Sequence, residues 1–236
     1  MGRAIEEIAL QKNHEIVLKV DAHNADSFTV SELTKADVAI EFTRPEAAFN
    51  NFIKCFDANV PVVSGTTGWL DKMEEVKKIC NSNNQSFFYA SNYSIGVNIF
   101  FEVNKKLAEL MNSQHQYTEI FINEIHHLQK LDAPSGTAIS LAEQILEKVK
   151  RLNNWSNYSS SENKPPVKTD RELPIFSSRE GEIPGTHIVK YFSHEDEIEI
   201  IHKAFNRRGF ASGAVLAAEW ILGKKGVFGM KDLLNL

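Results

Sequence analysis

The chain has 236 residues, of which 42% are hydrophobic and 24% charged, and a formal net charge of −5. That apolar content fills one large core or two small ones. The acidic balance and the lack of a long basic run argue against nucleic acid as the main partner, and no apolar run approaches the roughly 18 residues of a membrane span. A local basic pocket for a small acid is still allowed.

The first part of the sequence alternates helices with short apolar runs. Arg3 to Lys12 reads as a helix with Ile5, Ile8 and Ala9 at helical spacing. "EIVLKVD" (Glu15 to Asp21) reads as a buried strand ending on an acid, and "DVAIEF" (Asp37 to Phe42) as a second. Pro45 suits the first turn of a helix to about Ala58, with Ala48, Phe52 and Phe56 inward. "VPVVSG" (Val60 to Gly65) and "SFFYAS" (Ser86 to Ser91) are further strands, separated by a helix from Asp71 to about Asn81. Strand, helix, strand, helix with nearly continuous apolar strands means a parallel sheet covered on both faces. Ligands of such sheets sit at the carboxyl ends of the strands. Asp21-Ala22, "GTTG" (Gly65 to Gly68) and "ASNYS" (Ala90 to Ser94) are therefore expected to meet there.

After Gly96 the pattern changes. "VNIFFEVNKKLAELMN" is a long amphipathic helix, and "YTEIFINEI" (Tyr117 to Ile125) alternates like a strand. Ser135 is a candidate cap for a helix from Gly136 to about Arg151. The polar stretch from Asn153 to Lys168 reads as a surface loop. "THIVKYFS" and "DEIEIIHKAF" read as a hairpin turning at His194-Glu195, and the small-residue helix "GFASGAVLAAEWIL" follows. The expected architecture is α/β: a Rossmann-like doubly wound parallel sheet (1–92 with 209–236) and a second α+β domain of open mixed sheet (93–208). The second domain's alternating strands would leave one face with Val, Tyr or Ile outward, a poor solvent surface that a second subunit would bury. The two cysteines, Cys55 and Cys80, have no CxxC spacing, and no signal-peptide pattern is read. They are expected to be reduced thiols of a cytoplasmic protein.

The chemistry concentrates in "INEIHHLQKLDAPSGTAISLAEQ" (Ile122 to Gln144). Histidine exchanges protons near neutrality. Lysine supplies a positive charge, or a proton where its pKa is lowered. A helix starting after Ser135 leaves the N–H groups of Gly136 and Thr137 free for a carboxylate or phosphate. His126, His127, Lys130 and that helix start together describe a pocket for a small dianion that also needs a proton. Each piece has a plainer reading: surface histidines, an ordinary "GTTG" loop, Ser135 as a cap only. Asp132 is expected to cap or close the turn. A zinc site is disfavoured, with neither HExxH spacing nor a cysteine pair.

"EIHHLQKLDAPSGTA" resembles the E-x-H-H-x-x-K-x-D-A-P-S-G-T-A signature of the dihydrodipicolinate reductase family. "EFTRPEA", "SGTTGW", "ASNYSIGVN", "REGEIPGTH" and "FNRRGFASGAVLAAEWILGKKGVFGM" are similar to that family in the same order, so the resemblance spans essentially the whole chain. It implies nicotinamide-dependent reduction of 4-hydroxy-tetrahydrodipicolinate to tetrahydrodipicolinate with loss of water, in diaminopimelate and lysine biosynthesis. By motif, His126 is implied as the acid/base residue and Lys130 as the proton donor near the ring nitrogen, which also attracts the substrate's carboxylates. His127 would contact the substrate, and Gly136 and Thr137 would hold a carboxylate. Gly65, Thr66, Thr67, Ala90, Ser91, Asn92 and Tyr93 would lie along the nicotinamide and its ribose, with Asp21 at the adenosine ribose. NADH or NADPH is the implied cofactor, NADH favoured because an acid repels a 2′-phosphate. A homotetramer and a small dicarboxylate substrate are the implied partners. The departure is at the front: Met1-Gly2-Arg3 matches only the tail of the family's G-x-x-G-x-M-G loop, and the first strand is expected upstream. Two other readings are carried beside this one. One is a truncated homologue, catalytically impaired, that binds a dicarboxylate. The other is a different nicotinamide oxidoreductase, disfavoured by the intact His126, His127, Lys130 and Gly136-Thr137 set.

Overall fold

The computed structural model describes residues 1–21, 23–24, 28–159 and 171–236. They form two compact units, Met1–Asn98 with Arg208–Leu236, and Ile99–Arg207.

In the first unit, α1 (Gly2–Gln11) and α2 (Val30–Leu33) precede β1 (Ala39–Glu41). α3 (Pro45–Asp57), β2 (Val62–Ser64), α4 (Met73–Ser82) and β3 (Ser86–Tyr89) follow in alternation. Pro45 occupies the first turn of α3, where its missing N–H costs no hydrogen bond. The strands β1, β2 and β3 are parallel. One face of this sheet packs on Phe52, Phe56, Trp69, Val76 and Cys80, which are buried with Phe87. The other packs on Ile5, Ile8 and the small-residue helix that returns late in the chain. Both cysteines are buried and free. Burial pushes the Cys55 thiol up to about 12 and the Cys80 thiol to about 11, so neither offers a thiolate near neutral pH.

One expected strand does not form. Glu15 to Asp21 is an extended segment with no ladder partner among the described residues. Ile16 and Leu18 are half-buried against the two cores, while Val17 and Val20 face solvent. The alternation that suggested a strand is real, but an extended run becomes a strand only where its N–H and C=O groups find a ladder.

α5 (Ile95–Met111) leads into the second unit, where β4 (Glu119–His126), α6 (Gly136–Lys148), β5 (Asn154–Ser159), β6 (Glu172–Arg179), β7 (Gly185–Phe192) and β8 (Glu197–Ala204) lie in chain order. The sheet order is β5-β6-β4-β7-β8, mixed, with β5, β6 and β4 parallel and β4, β7 and β8 antiparallel. Period-2 alternation sends Ile120, Ile122, Leu173, Ile175, Val189 and Tyr191 into one core with Leu141 and Ile145 of α6. Phe121, Phe176, Ile188 and Lys190 alternate with them on the opposite face. That face therefore carries Ile and Phe, with Val189 and Tyr191 turned inward.

Part of the expected surface loop from Asn153 is the edge strand β5, which pairs residue for residue with β6 and turns Trp155 toward the core. Its Asn and Ser residues hide a strand whose ladder comes from a neighbour. The neighbour β6 is itself masked by Pro174, which argues against an interior strand. Residues 160–168 of that loop lie outside the described residues.

The chain closes in the first unit with α7 (Arg208–Ile221), β9 (Gly226–Phe228) and α8 (Met230–Leu234). β9 adds a fourth parallel strand beside β3. Gly213 lets α7 lie directly on the Tyr93 carbonyl; any Cβ there would overlap that oxygen.

Candidate active site

The carboxylate of Glu124 organises the second unit's polar centre. Strand alternation puts Glu124 and His126 on the inner face of β4, behind Ile120 and Ile122. Glu124 is fully buried. The Ser135 backbone N–H lies 3.2 Å from each of its oxygens. Ser177 Oγ of β6 donates to Oε1 at 2.8 Å, and Arg179 Nη2 donates to the same oxygen at 3.2 Å. His126 Nδ1 stands 3.1 Å from Oε2, off the axis of a linear hydrogen bond. Burial alone would push the Glu124 carboxyl up, but His126, Ser135 and Ser177 outweigh it and hold the group well below the usual carboxylate range.

A second buried histidine, His187 of β7, packs edge-on against His126 with ring centroids 5.1 Å apart. Its Nε2 is 3.1 Å from Ser135 Oγ, and that oxygen also accepts from Ala138 N to cap α6. Burial, and secondly the nearby His126, drive His187 down to about 3, so it is a neutral ring. Glu124, His126 and His187 bring candidate metal-ligand atoms within 4.8 Å of one another. A cation there would meet the Arg179 guanidinium and a carboxylate that already accepts from Ser135, Ser177 and Arg179. The set fits a proton better than a metal ion.

Lys130 and Asp132 lie in the loop after β4. Asp132 does not close the turn with its side chain; it pairs with Lys130 Nζ at 2.7 Å through both oxygens. Arg179 ties this loop down through the carbonyls of Lys130 (3.3 Å from Nε) and Asp132 (2.6 Å from Nη2). A cis Ala133–Pro134 bond leads into α6. Gly136 is exposed, with open space where a Cβ would stand. Among the described residues, no protein acceptor takes the N–H groups of Gly136 or Thr137. His127 is half-buried, with Arg207 Nη2 3.4 Å from its Nε2. A guanidinium only donates, so that nitrogen faces Arg207 with its lone pair.

In the first unit, the turns after β2 and β3 stand side by side at the carboxyl end of the parallel sheet. Thr67 and Ser91 are exposed there, Gly65 and Asn92 half-buried, Ala90 buried. Thr66 and Tyr93 point inward. The Thr66 hydroxyl donates to the buried carboxylate of Glu41 at 3.0 Å, and Tyr93 OH donates to Ser64 O at 2.6 Å. Ser64 Oγ (2.7 Å) and Thr43 Oγ1 also donate to Glu41. Gly65 is needed because the Phe42 ring occupies the place of its Cβ. This ledge of small residues, with Thr67 and Ser91 outward, lies at the carboxyl end of the strands, the place where doubly wound sheets bind their ligands. Asp21 is not at a strand end. It is exposed, its Oδ1 accepts from His23 N at 2.8 Å and its N–H donates to Asn24 Oδ1 at 2.7 Å. Ala22 lies outside the described residues.

Reading the sequence for chemistry missed Glu124, His187, Arg179 and Glu41. Two of them carried a signal. An acid two residues before a histidine on an apolar strand shares its face, and a histidine in "GTHIVKYF" falls on the inward set with Val189 and Tyr191. Arg179 needed β6, which Pro174 concealed.

A two-unit α/β protein with a parallel nucleotide-type ledge in one unit and a buried acid-histidine site in the other is of the nicotinamide-dehydrogenase class. Residues 1–93 match the family description "Dihydrodipicolinate reductase, N-terminus" and residues 96–234 match "Dihydrodipicolinate reductase, C-terminus". The chain belongs to the dihydrodipicolinate reductase family. It is 48% identical over 239 residues to 4-hydroxy-tetrahydrodipicolinate reductase of Christiangramia forsetii, covering 100% of this chain and 94% of the relative. The enzyme of the same name from Buchnera aphidicola subsp. Schizaphis graminum is 37% identical over 202 residues, 84% of this chain and 72% of the relative. The fold matches a dipicolinate-bound dihydrodipicolinate reductase from Paenisporosarcina sp. TG-14 with a TM-score of 0.72 at 24% identity, covering 98% of this chain and 94% of that one.

Proposed function

We propose that the protein is a nicotinamide-dependent oxidoreductase of diaminopimelate and lysine biosynthesis. In this reading 4-hydroxy-tetrahydrodipicolinate, a reduced nicotinamide cofactor and a proton give tetrahydrodipicolinate, the oxidised cofactor and water. The observation that carries this reading is His126 and the α6 start registered on one carboxylate, with Lys130 in the loop between them and no protein acceptor on the Gly136 and Thr137 N–H groups among the described residues, in a chain 48% identical to a relative of that name.

The first unit is assigned the cofactor, along Gly65, Thr66, Thr67, Ala90, Ser91, Asn92 and Tyr93. Thr66 and Tyr93 act from behind by fixing the ledge. The nicotinamide, when bound, supplies hydride. The second unit is assigned the substrate. Gly136 and Thr137 hold one carboxylate on the helix N-terminus, and His127 contacts the ring or the second carboxylate. Lys130 leaves Asp132 for the incoming dianion and donates a proton near the ring nitrogen, while His126 moves protons at the carbon skeleton. The family motif assigns Asp21 to the adenosine ribose, where its carboxylate would repel a 2′-phosphate, so NADH is favoured over NADPH. The test is the loss of reduced-nicotinamide absorbance with 4-hydroxy-tetrahydrodipicolinate and each cofactor. No turnover with either one sinks the reading.

The working form is assigned as a homotetramer assembled through the open face of the second unit's sheet. Ile201, 55% exposed, and Phe192, 38% exposed, lie on that face with Phe121 and Phe176, and a second copy would bury them. A monomer by light scattering at micromolar concentration would refute this. Among the described residues no helix is long and apolar enough to cross a membrane. With two buried free thiols, a reducing cytoplasm is the assigned compartment.

A further inference from the structure

We infer that Glu124 is the positioning residue of the site: one buried carboxylate fixes the tautomer of His126 and the seat of the substrate's carboxylate. This rests on the reductase reading above and deepens it. Three donors other than the histidine converge on Glu124: Ser135 N–H, Ser177 Oγ and Arg179 Nη2. The group is therefore ionised and accepts only. His126 Nδ1 faces it across 3.1 Å. If that nitrogen carried a lone pair, two acceptors would confront each other in a buried site, so the ring proton sits on Nδ1 and Nε2 is left as the working nitrogen. Gly185 gives Nε2 its room, since a Cβ at that position would stand 3.0 Å from it.

The second half of the role runs through the backbone. Both Glu124 oxygens lie 3.2 Å from the N–H of Ser135, the cap residue of α6. That contact ties the first turn of α6, with Gly136 and Thr137, to the same strand that carries His126. Arg179 extends the tie to the loop of Lys130 and Asp132. The proton-transfer ring, the anion seat and the lysine loop are thus registered on a single carboxylate, which itself need not touch substrate. His187 completes the arrangement as a neutral packing partner, its ring against His126 and its Nε2 on Ser135 Oγ.

The test compares wild type with Glu124→Gln, using His126→Gln to assign the ring resonances. Nitrogen NMR of the wild type, at a pH where His126 is neutral, should show the Nδ1–H form. In Glu124→Gln the amide can donate to the ring, and the Nε2–H form should grow. In the same variant kcat should fall at least about tenfold, with the pH profile displaced and the cofactor KM unchanged, because wrong-tautomer variants of acid-histidine pairs lose rate rather than cofactor binding. Dipicolinate binding should weaken as the α6 start loosens. A merely structural Glu124 would lower the melting temperature and leave tautomer and pH profile alone, and that result overturns the proposal. Should Glu124→Gln fail to fold, the wild-type spectrum decides: an Nε2–H His126 beside the intact carboxylate overturns it, and the Nδ1–H form supports it. A wild type with no reductase turnover would defeat the functional reading instead, while the tautomer measurement would still judge Glu124.

Discussion

Lys130 Nζ sits 2.7 Å from both carboxylate oxygens of Asp132, two residues along the same loop. The hydrogen bond from Lys130 is the main cause that holds the Asp132 carboxyl below its ordinary value. The Asp132 side chain is 62% exposed against 19% for Lys130, so in the proposed reaction it is the counter-ion that an incoming dianion would displace. Asp132→Asn removes the competitor. An exposed pair is worth little, so dipicolinate affinity should rise only about two- to fivefold at low salt, with kcat within a factor of about two. Weaker dipicolinate binding in this variant would show that Asp132 orients Lys130 rather than competing for it.

Lys130→Ala should remove both the attraction for substrate carboxylates and a proton donor. Its kcat should fall by about 10²–10⁴, the usual worth of general acid-base catalysis, while the cofactor KM stays near wild type. His126→Gln should lower kcat on a similar scale and flatten the pH profile. Wild-type turnover in either variant removes the role assigned to it.

Cofactor choice should follow the charge at Asp21. The carboxylate is exposed and engaged only in its own turn contact with His23 N, among the contacts described. NADH should be used at least as well as NADPH, and Asp21→Ala should improve NADPH relative to NADH by removing the repulsion. A tenfold better kcat/KM with NADPH in the wild type would exclude this role for Asp21.

The six longer helices and three of the four parallel strands were legible because each carries its own periodicity and its own stop signals, as Pro45 and Ser135 illustrate; the short α2 and α8 were not legible. What escaped was set by partners distant in sequence. Glu15 to Asp21 has a strand's alternation and no ladder among the described residues. Asn154–Ser159 has a loop's composition and a ladder supplied by β6. The site divided in the same way. His126, His127 and Lys130 stand together in one motif. Arg179 and His187 reach Glu124 only through β6 and β7 pairing on either side of β4, which no local spacing announces.

Gly213 offers a stability test independent of the chemistry. A Cβ at this position on α7 would run into the Tyr93 backbone carbonyl, which cannot swing aside as a flexible side chain could. Gly213→Ala gains helix propensity of up to about 1 kcal/mol, but overpacking of this kind costs about 1–3 kcal/mol or more. The clash should win, with a lower melting temperature for the first unit. An unchanged or raised melting temperature would mean that α7 slides without cost.

The pH dependence of stability should carry the signature of His187. Burial and the nearby His126 push this ring down to about 3 in the folded protein, whereas an unfolded histidine titrates near 6.5. Below about pH 6.5 the unfolded chain binds a proton that the folded state refuses. Stability is therefore complete above about pH 6.5 and falls by up to about 1.4 kcal/mol per pH unit toward pH 3. Glu124, whose folded value is depressed, adds a loss of the same sign, but only once the pH drops below the unfolded glutamate value of about 4.3. The window from about pH 6.5 to 4.5 thus excludes Glu124. His202, which burial also lowers, adds a loss of the same sign there, so the comparison with a His187 variant assigns the share of His187. His187→Gln keeps an amide within reach of Ser135 Oγ and has no proton to take up, so its stability should be flatter across that window by about one proton's worth of slope. Native-state hydrogen exchange of the β4 and β7 amides reads the second unit alone and can follow both proteins from pH 7 to 4.5. Parallel losses in wild type and variant would show that His187 is not the group responsible.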